Sequence, residues 1–175
     1  MSITMLNKYL KDLPKEKLIE LIKELYYLNN ANCDFLKNKC DPQHEKNILE
    51  KYKKKIDNEF KTKKGYVNLS FSNIRKNISE FNLISKQPLY MAELLFHYVK
   101  TGVDFTNEFG DIDEKFYNSI ELGYKNLLEF IFKNGIQNEF KEKCFQIQQD
   151  SYGIGWGFSD YMSELYYSFF IKENN

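Results

Sequence analysis

Residues 151–158 read Ser-Tyr-Gly-Ile-Gly-Trp-Gly-Phe, and Gly153, Gly155 and Gly157 are the chain's one glycine cluster. A helix is expected from about Ser159, so backbone N–H groups of the cluster could face an anion, helped by the helix dipole. The spacing differs from the dinucleotide fingerprint, the loop follows a helix instead of a strand, and no Lys-Ser/Thr pair comes after it. The simpler expectation is a sharp helix-to-helix turn whose glycines take positive φ while Trp156 and Phe158 pack inward. A second group of residues is acidic: Asp104, Glu108, Asp111 and Asp113, with Glu114 beside them. Carboxylates this dense can supply oxygen ligands to Ca²⁺ or Mg²⁺. Their glycine and terminal Glu do not fall where an EF-hand places them, and Asp111 or Asp113 serves more simply as a helix cap. No cofactor is expected.

Nucleophilic chemistry finds little to work with. His97 falls on an apolar helix face beside Phe96 and Tyr98, as a hydrogen-bonded core histidine does, and His44 sits among charges near a helix start. Neither is flanked by a recognisable base–orienter arrangement, so no catalytic residue is assigned. Cys33, Cys40 and Cys144 are the only cysteines. With no targeting segment ahead of them, reduced thiols in the cytoplasm are expected. Cys33 and Cys40 can share a helix face, where buried packing is the expectation, because zinc would need two further ligands.

The chain has 175 residues, with 25 basic and 25 acidic side chains. Zero net charge excludes a uniformly basic nucleic-acid binder and an acidic disordered tail. The two signs are nevertheless segregated. Residues 1–100 carry a net +7 and residues 101–175 a net −7. That separation can steer an anionic partner to the front half or drive antiparallel self-association. The most basic stretch holds Lys51, Lys53, Lys54, Lys55, Lys61, Lys63 and Lys64, a candidate nucleic-acid surface interrupted by Asp57 and Glu59. Arg75 is the only arginine, which argues against specific anion binding, since arginine usually carries bidentate phosphate and carboxylate recognition.

Helical periodicity organises the rest. Leu6, Tyr9, Leu10 and Leu13 describe a first short helix, broken at Pro14. Leu18, Leu21, Ile22, Leu25 and Leu28 form the stripe of a second, stopped by Asn29-Asn30. A third carries Phe35, Leu36 and two cysteines up to Asp41, which is expected to cap a Lys-rich surface helix beginning at Pro42. A short extended segment is expected near 66–70, and Ser70 or Ser72 should cap the following helix, which runs through Ile84. The next helix should run from Pro88 to Thr101-Gly102, with 103–112 as a loop. A long helix should then end at Gly135 in a left-handed cap, followed by helices over 136–149 and 159–171. The fold class is therefore all-α: a single domain over 1–175 with eight or nine helices packed as hairpins or an irregular bundle. Within it, 1–40 forms a helix-pair subregion and 41–64 the Lys-rich helix. No apolar run reaches the ~20 residues of a membrane span.

Three stretches of sequence have a family resemblance. Residues 8–22 (KYLKDLPKEKLIELI), the run from Tyr98 to Asp113 containing YVKTGVDFT and GDID, and the loop at 151–158 together resemble a whole-length family of small bacterial proteins of unknown function. The resemblance implies a full-length domain and no activity, cofactor or partner. Paired aromatics at Tyr26-Tyr27, Tyr166-Tyr167 and Phe169-Phe170 lie about 100° apart on a helix, so one of each pair can reach the surface. The leading expectation is thus a non-enzymatic protein-interaction or self-association module, a homodimer among the options. The alternatives are nucleic-acid binding through Lys51–Lys64 and an anion-binding protein or enzyme using the glycine loop.

Overall fold

A computed structural model describes residues 2–63, 66–67 and 69–171. The architecture is all-α, as the periodicity predicts. Its helices are α1 (Ile3–Lys11), α2 (Lys15–Leu28), α3 (Asn30–Cys40), α4 (Glu45–Phe60), α5 (Phe71–Ile84), α6 (Pro88–Phe109), α7 (Glu114–Lys133), α8 (Gln137–Asp150) and α9 (Phe158–Phe170). A minimal antiparallel ladder, β1 (Thr62–Lys63) with β2 (Tyr66–Val67), pairs Thr62 with Val67 and Lys63 with Tyr66. It accounts for the first part of the extended segment expected near 66–70.

The chain divides into two compact units, residues 1–45 and 46–175. In the first, Ser2 caps α1 through its side chain, Pro14 precedes α2, and Asn29 both ends α2 and caps α3 with its Oδ1 on the Asn32 N–H at 2.8 Å. Asp41 accepts from the Gln43 N–H at 3.1 Å, but Pro42–His44 forms a 3₁₀ turn and α4 opens only at Glu45. Among the described residues 2–44 no hydrophobic side chain is buried, and Ile3, Met5, Ile22, Tyr27 and Leu28 are exposed. Cys40 is exposed and Cys33 half-buried, which corrects the expectation of a buried two-cysteine face.

The second unit holds the core. The expected surface helix is only half right: α4 buries Ile48, Leu49, Tyr52, Ile56 and Phe60, because these recur on one face while the lysines take the other. Ser70 caps α5 through its hydroxyl, and Gly135 adopts φ 68° just past α7, as a left-handed cap requires. The loop expected at 103–112 is instead mostly helix, since α6 continues through Gly102 to Phe109. Gly102 marks a close approach and not a terminus. A Cβ there would lie 2.2 Å from Ile120 Cδ1, and one on Gly123 would lie 2.6 Å from Tyr98 Cε1. The two glycines let α6 and α7 pack closely at reciprocal points. Around that crossing Val99, Val103, Tyr124 and Leu127 are sealed from solvent.

Candidate functional site: the junction of the 110–113 and 151–157 loops

At this junction a buried aromatic side chain ties the core to the loop. Tyr117, on the first turn of α7, is buried with its ring 5.1 Å from Phe158 and 5.5 Å from Phe116. Its hydroxyl donates to Asp111 Oδ1 at 3.2 Å, accepts from the Ile112 N–H at 3.4 Å and lies 3.0 Å from Thr106 Oγ1. Thr106 in turn donates to the Gly110 carbonyl at 3.1 Å. Gly110 has φ 82°, so the chain can leave α6 and turn back at once. Asp113 then caps α7, its Oδ1 accepting the Phe116 N–H at 2.7 Å.

The 151–157 loop is secured from the other side. Ser151, fully buried, donates to the Gln148 carbonyl at 2.7 Å, and the loop closes through Ile154 N–H to Ser151 O and Phe158 N–H to Gly155 O. Asn107 Nδ2 donates to the Asp150 carbonyl at 2.8 Å, and Lys100 bridges Asp104 and Asp150. The glycine loop and the acidic segment therefore meet. A small cleft of about 240 Å³ lies between Gly110 and Asp111 on one side and Tyr152 and Gly153 on the other.

A larger cleft, about 530 Å³, includes Tyr117 in its lining. Glu114, Asn118 and Glu121, one stripe along α7, form one wall; Trp156, Gly157 and Tyr161 form the other. Phe158 packs inward at 0% exposure as expected, whereas Trp156 is 74% exposed, which corrects the expectation that both pack inward. The reason is the backbone. Trp156 (φ 61°) and Gly157 (φ 75°) are both left-handed and reverse the chain between the two rings. Trp156 is the only non-glycine with positive φ among the described residues. Burial holds the Glu121 carboxyl above the usual carboxylate range. No Lys, Arg or His lines this cleft.

The structure distributes the other candidates. Gly153 and Gly157 have positive φ and Gly155 does not; all three are open where a Cβ would stand. Of the four acidic candidates, Asp104 pairs with Lys100, Asp111 holds Tyr117 and Asp113 is a cap, while Glu108 lines a separate groove with Asp57 and Phe109. They are not brought together. Among the described residues no group of three or more His, Cys, Asp or Glu could hold a metal ion. In the basic stretch Lys53 pairs with Glu50 at 3.1 Å, and Lys55 reaches Glu80 at 3.6 Å while covering the Tyr52 ring. Lys61 donates to Asn58 at 2.7 Å, and Lys51 and Lys54 are exposed. Lys63 enters the short ladder through its backbone, and Lys64 lies outside the described residues. His97 Nε2 lies 2.6 Å from Asp57 Oδ1, a partner 40 positions away that helical spacing does not reveal. Sequence reasoning also missed Glu121 and Tyr161. Each reads locally as an ordinary helix residue, and only the turn at 156–157 puts them opposite each other.

Fold and site together define a helical protein with a cleft formed by α7, α9 and the loop joining α8 to α9, where an exposed aromatic faces two carboxylates. The chain belongs to a family of unknown function (DUF6155), whose model matches residues 1–169. No curated protein and no solved structure matches it. No helix among the described residues is long and apolar enough to cross a membrane.

Proposed function

We propose that this protein is a non-catalytic interaction module that binds a basic segment of a partner protein in the Trp156 cleft. The observation that carries the proposal is Trp156 itself, an exposed indole held in a left-handed backbone beside Glu114 and Glu121. A non-glycine residue in that conformation costs about 1–2 kcal/mol, and the exposed ring returns little packing in the free chain. The indole face is the best of the aromatic surfaces for an ammonium or guanidinium group, and the two carboxylates add charge of the right sign. That charge favours a cation over the anion that the glycine loop suggests. Three free cysteines are consistent with work in a reducing cytoplasm.

Trp156 is the only tryptophan, so its emission reports the cleft directly. Titration with a Lys/Arg-rich peptide should give a saturable change that weakens as salt rises and is lost in the Glu114→Gln/Glu121→Gln double variant. An acidic peptide of the same length should give none. Equal responses to both peptides, or no saturable response to the basic one, would overturn the proposal.

A second reading, self-association, is favoured by the unburied apolar stripe of residues 2–44. The occupant it names is the same stripe of a second copy. Native mass spectrometry at tens of micromolar should then show a dimer that Leu25→Asp converts to monomer. A wild-type monomer under those conditions would eliminate it.

A further inference from the structure

An apolar concavity lies away from the loop junction, between α5 and α7 over α6. Its volume is about 490 Å³, within the range of about 300–1,000 Å³ that small-molecule sites occupy. Met91 and Leu95 form the floor, with Ile78 and Phe130 as walls. Ser79, Asn82 and Asn126 also line it. Tyr98, buried, sets its hydroxyl 2.8 Å from Ser119 Oγ and donates to the Ser119 carbonyl at 3.1 Å. Burial pushes this phenol up to about 12, so it stays a neutral donor at physiological pH, and the Arg75 guanidinium lies close enough to be felt by it.

Arg75, the chain's only arginine, thus stands at the Tyr98–Ser119 end, and Lys133 stands at the other, about 21 Å along α7 at 1.5 Å per residue. Neither forms an ion pair among the described residues. No Asp or Glu lines the groove, although the chain has 25 of them. An apolar trough with an unpaired guanidinium at its Tyr98–Ser119 end and no carboxylate in its lining is complementary, at that end, to a molecule that is apolar along its length and anionic at its head.

We propose that this groove binds a free monocarboxylate with an extended apolar body, its carboxylate on Arg75 and its chain over Met91 and Leu95. The planar fork of Arg75 can receive both oxygens, which a lysine cannot match. Gly123 lets the Tyr98 ring lie close against α7 beside the groove, because a Cβ there would stand 2.6 Å from Tyr98 Cε1.

Calorimetry with decanoate, decan-1-ol and decylammonium at submicellar concentration tests the assignment. Decanoate should bind, and the alcohol should bind at least about tenfold more weakly, the difference expected for losing a charged hydrogen-bonded contact. Decylammonium should be weaker still. Arg75→Ala should bring decanoate down to the level of the alcohol, and Arg75→Lys should recover part of the loss. Asn126→Trp, at an exposed position on the groove wall, should block all three by filling the trough. Unchanged thermal melting shows that either variant is folded. Binding of alcohol and carboxylate with equal affinity would overturn the proposal, as would no decanoate heat up to millimolar concentration or decanoate affinity unaffected by Arg75→Ala. Because none of these ligands involves Trp156, failure here leaves the basic-segment proposal to its own titration.

Discussion

Gly102→Ala replaces a poor helix former with the best one, in the middle of a 22-residue helix, and on propensity alone should stabilise the protein by about 1 kcal/mol. The packing says the opposite. The new Cβ would lie 2.2 Å from Cδ1 and 2.8 Å from Cγ1 of Ile120, a side chain with no solvent exposure and therefore no free direction in which to rotate. Overpacking costs about 1–3 kcal/mol, and a contact this short against an unexposed side chain belongs in the upper half of that range, about 2–3 kcal/mol. Set against the propensity gain, the net expectation is a loss of about 1–2 kcal/mol, or a melting temperature lower by roughly 2–8 °C for a chain of this size. Urea unfolding followed by circular dichroism measures it. Ile120→Val removes Cδ1 and by itself should cost about 0.5–1.5 kcal/mol. In the double variant the losses should fall short of their sum by about 1 kcal/mol, because the nearer of the two clashing atoms is gone. Gly155→Ala is the control, with nothing within 4 Å of its Cβ and no positive φ, and should be neutral or slightly stabilising. A Gly102→Ala variant as stable as wild type or more so would refute the close approach, and with it the continuity of α6 across the crossing.

Trp156→Gly relieves the left-handed backbone but loosens the unfolded chain by a comparable amount, so stability should stay within about 1 kcal/mol of wild type while peptide binding disappears; a larger loss on urea unfolding would make Trp156 a packing residue. Asp113→Ala removes the acceptor for the Phe116 N–H and should cost about 1 kcal/mol by denaturation. Of the thiols, exposed Cys40 should react quickly with maleimide and Cys144 only on unfolding, as mass spectrometry of labelled peptides can show, since burial seals Cys144 and pushes its thiol up to about 12. The folded chain therefore keeps a proton on Cys144 that the unfolded chain gives up near the ordinary thiol value of 9.0, so stability should be complete below that value and fall as pH rises toward 12. Cys144→Ala should flatten that decline between pH 8 and pH 10.5; an unchanged slope would assign it to other groups.

What could be read from the sequence was whatever depends on residues close together in the chain. Pro14, Asn29, Ser70, Asp113 and Gly135 each stop or cap a helix through local geometry, and each does so in the structure. What could not be read depends on residues far apart. Gly102 looks like a helix terminator until Ile120 is known to lie against it, and His97 looks like core until Asp57 is found beside it. The Lys-rich helix reads as surface because lysines outnumber its apolar residues. A single stripe of five is nevertheless enough to bury one face. Trp156 was misplaced for a subtler reason. Expecting positive φ only at glycines keeps the tryptophan in ordinary backbone and points its ring inward, whereas the loop puts a left-handed residue at the tryptophan itself.

That last difference bears on function as well as on geometry. Three glycines stand within five positions, yet the strained conformation falls on the one bulky residue among them, where glycine would have been free to adopt it. If the loop only had to turn, a glycine at 156 would turn it without strain. The indole is kept outside at a cost the core does not recover, and the wall opposite it carries two carboxylates and no cation. The chain's charge segregation supplies the same sign on a larger scale, since the cleft belongs wholly to the half from 101 onward, where acidic residues exceed basic ones by seven. Under the proposed function, a field of that extent would draw a basic segment in from a distance, and the ring and the two carboxylates would give it somewhere specific to stop. Long-range attraction alone would leave binding indifferent to Trp156→Gly, and contact alone would leave it indifferent to salt. The proposed site requires both sensitivities in one protein.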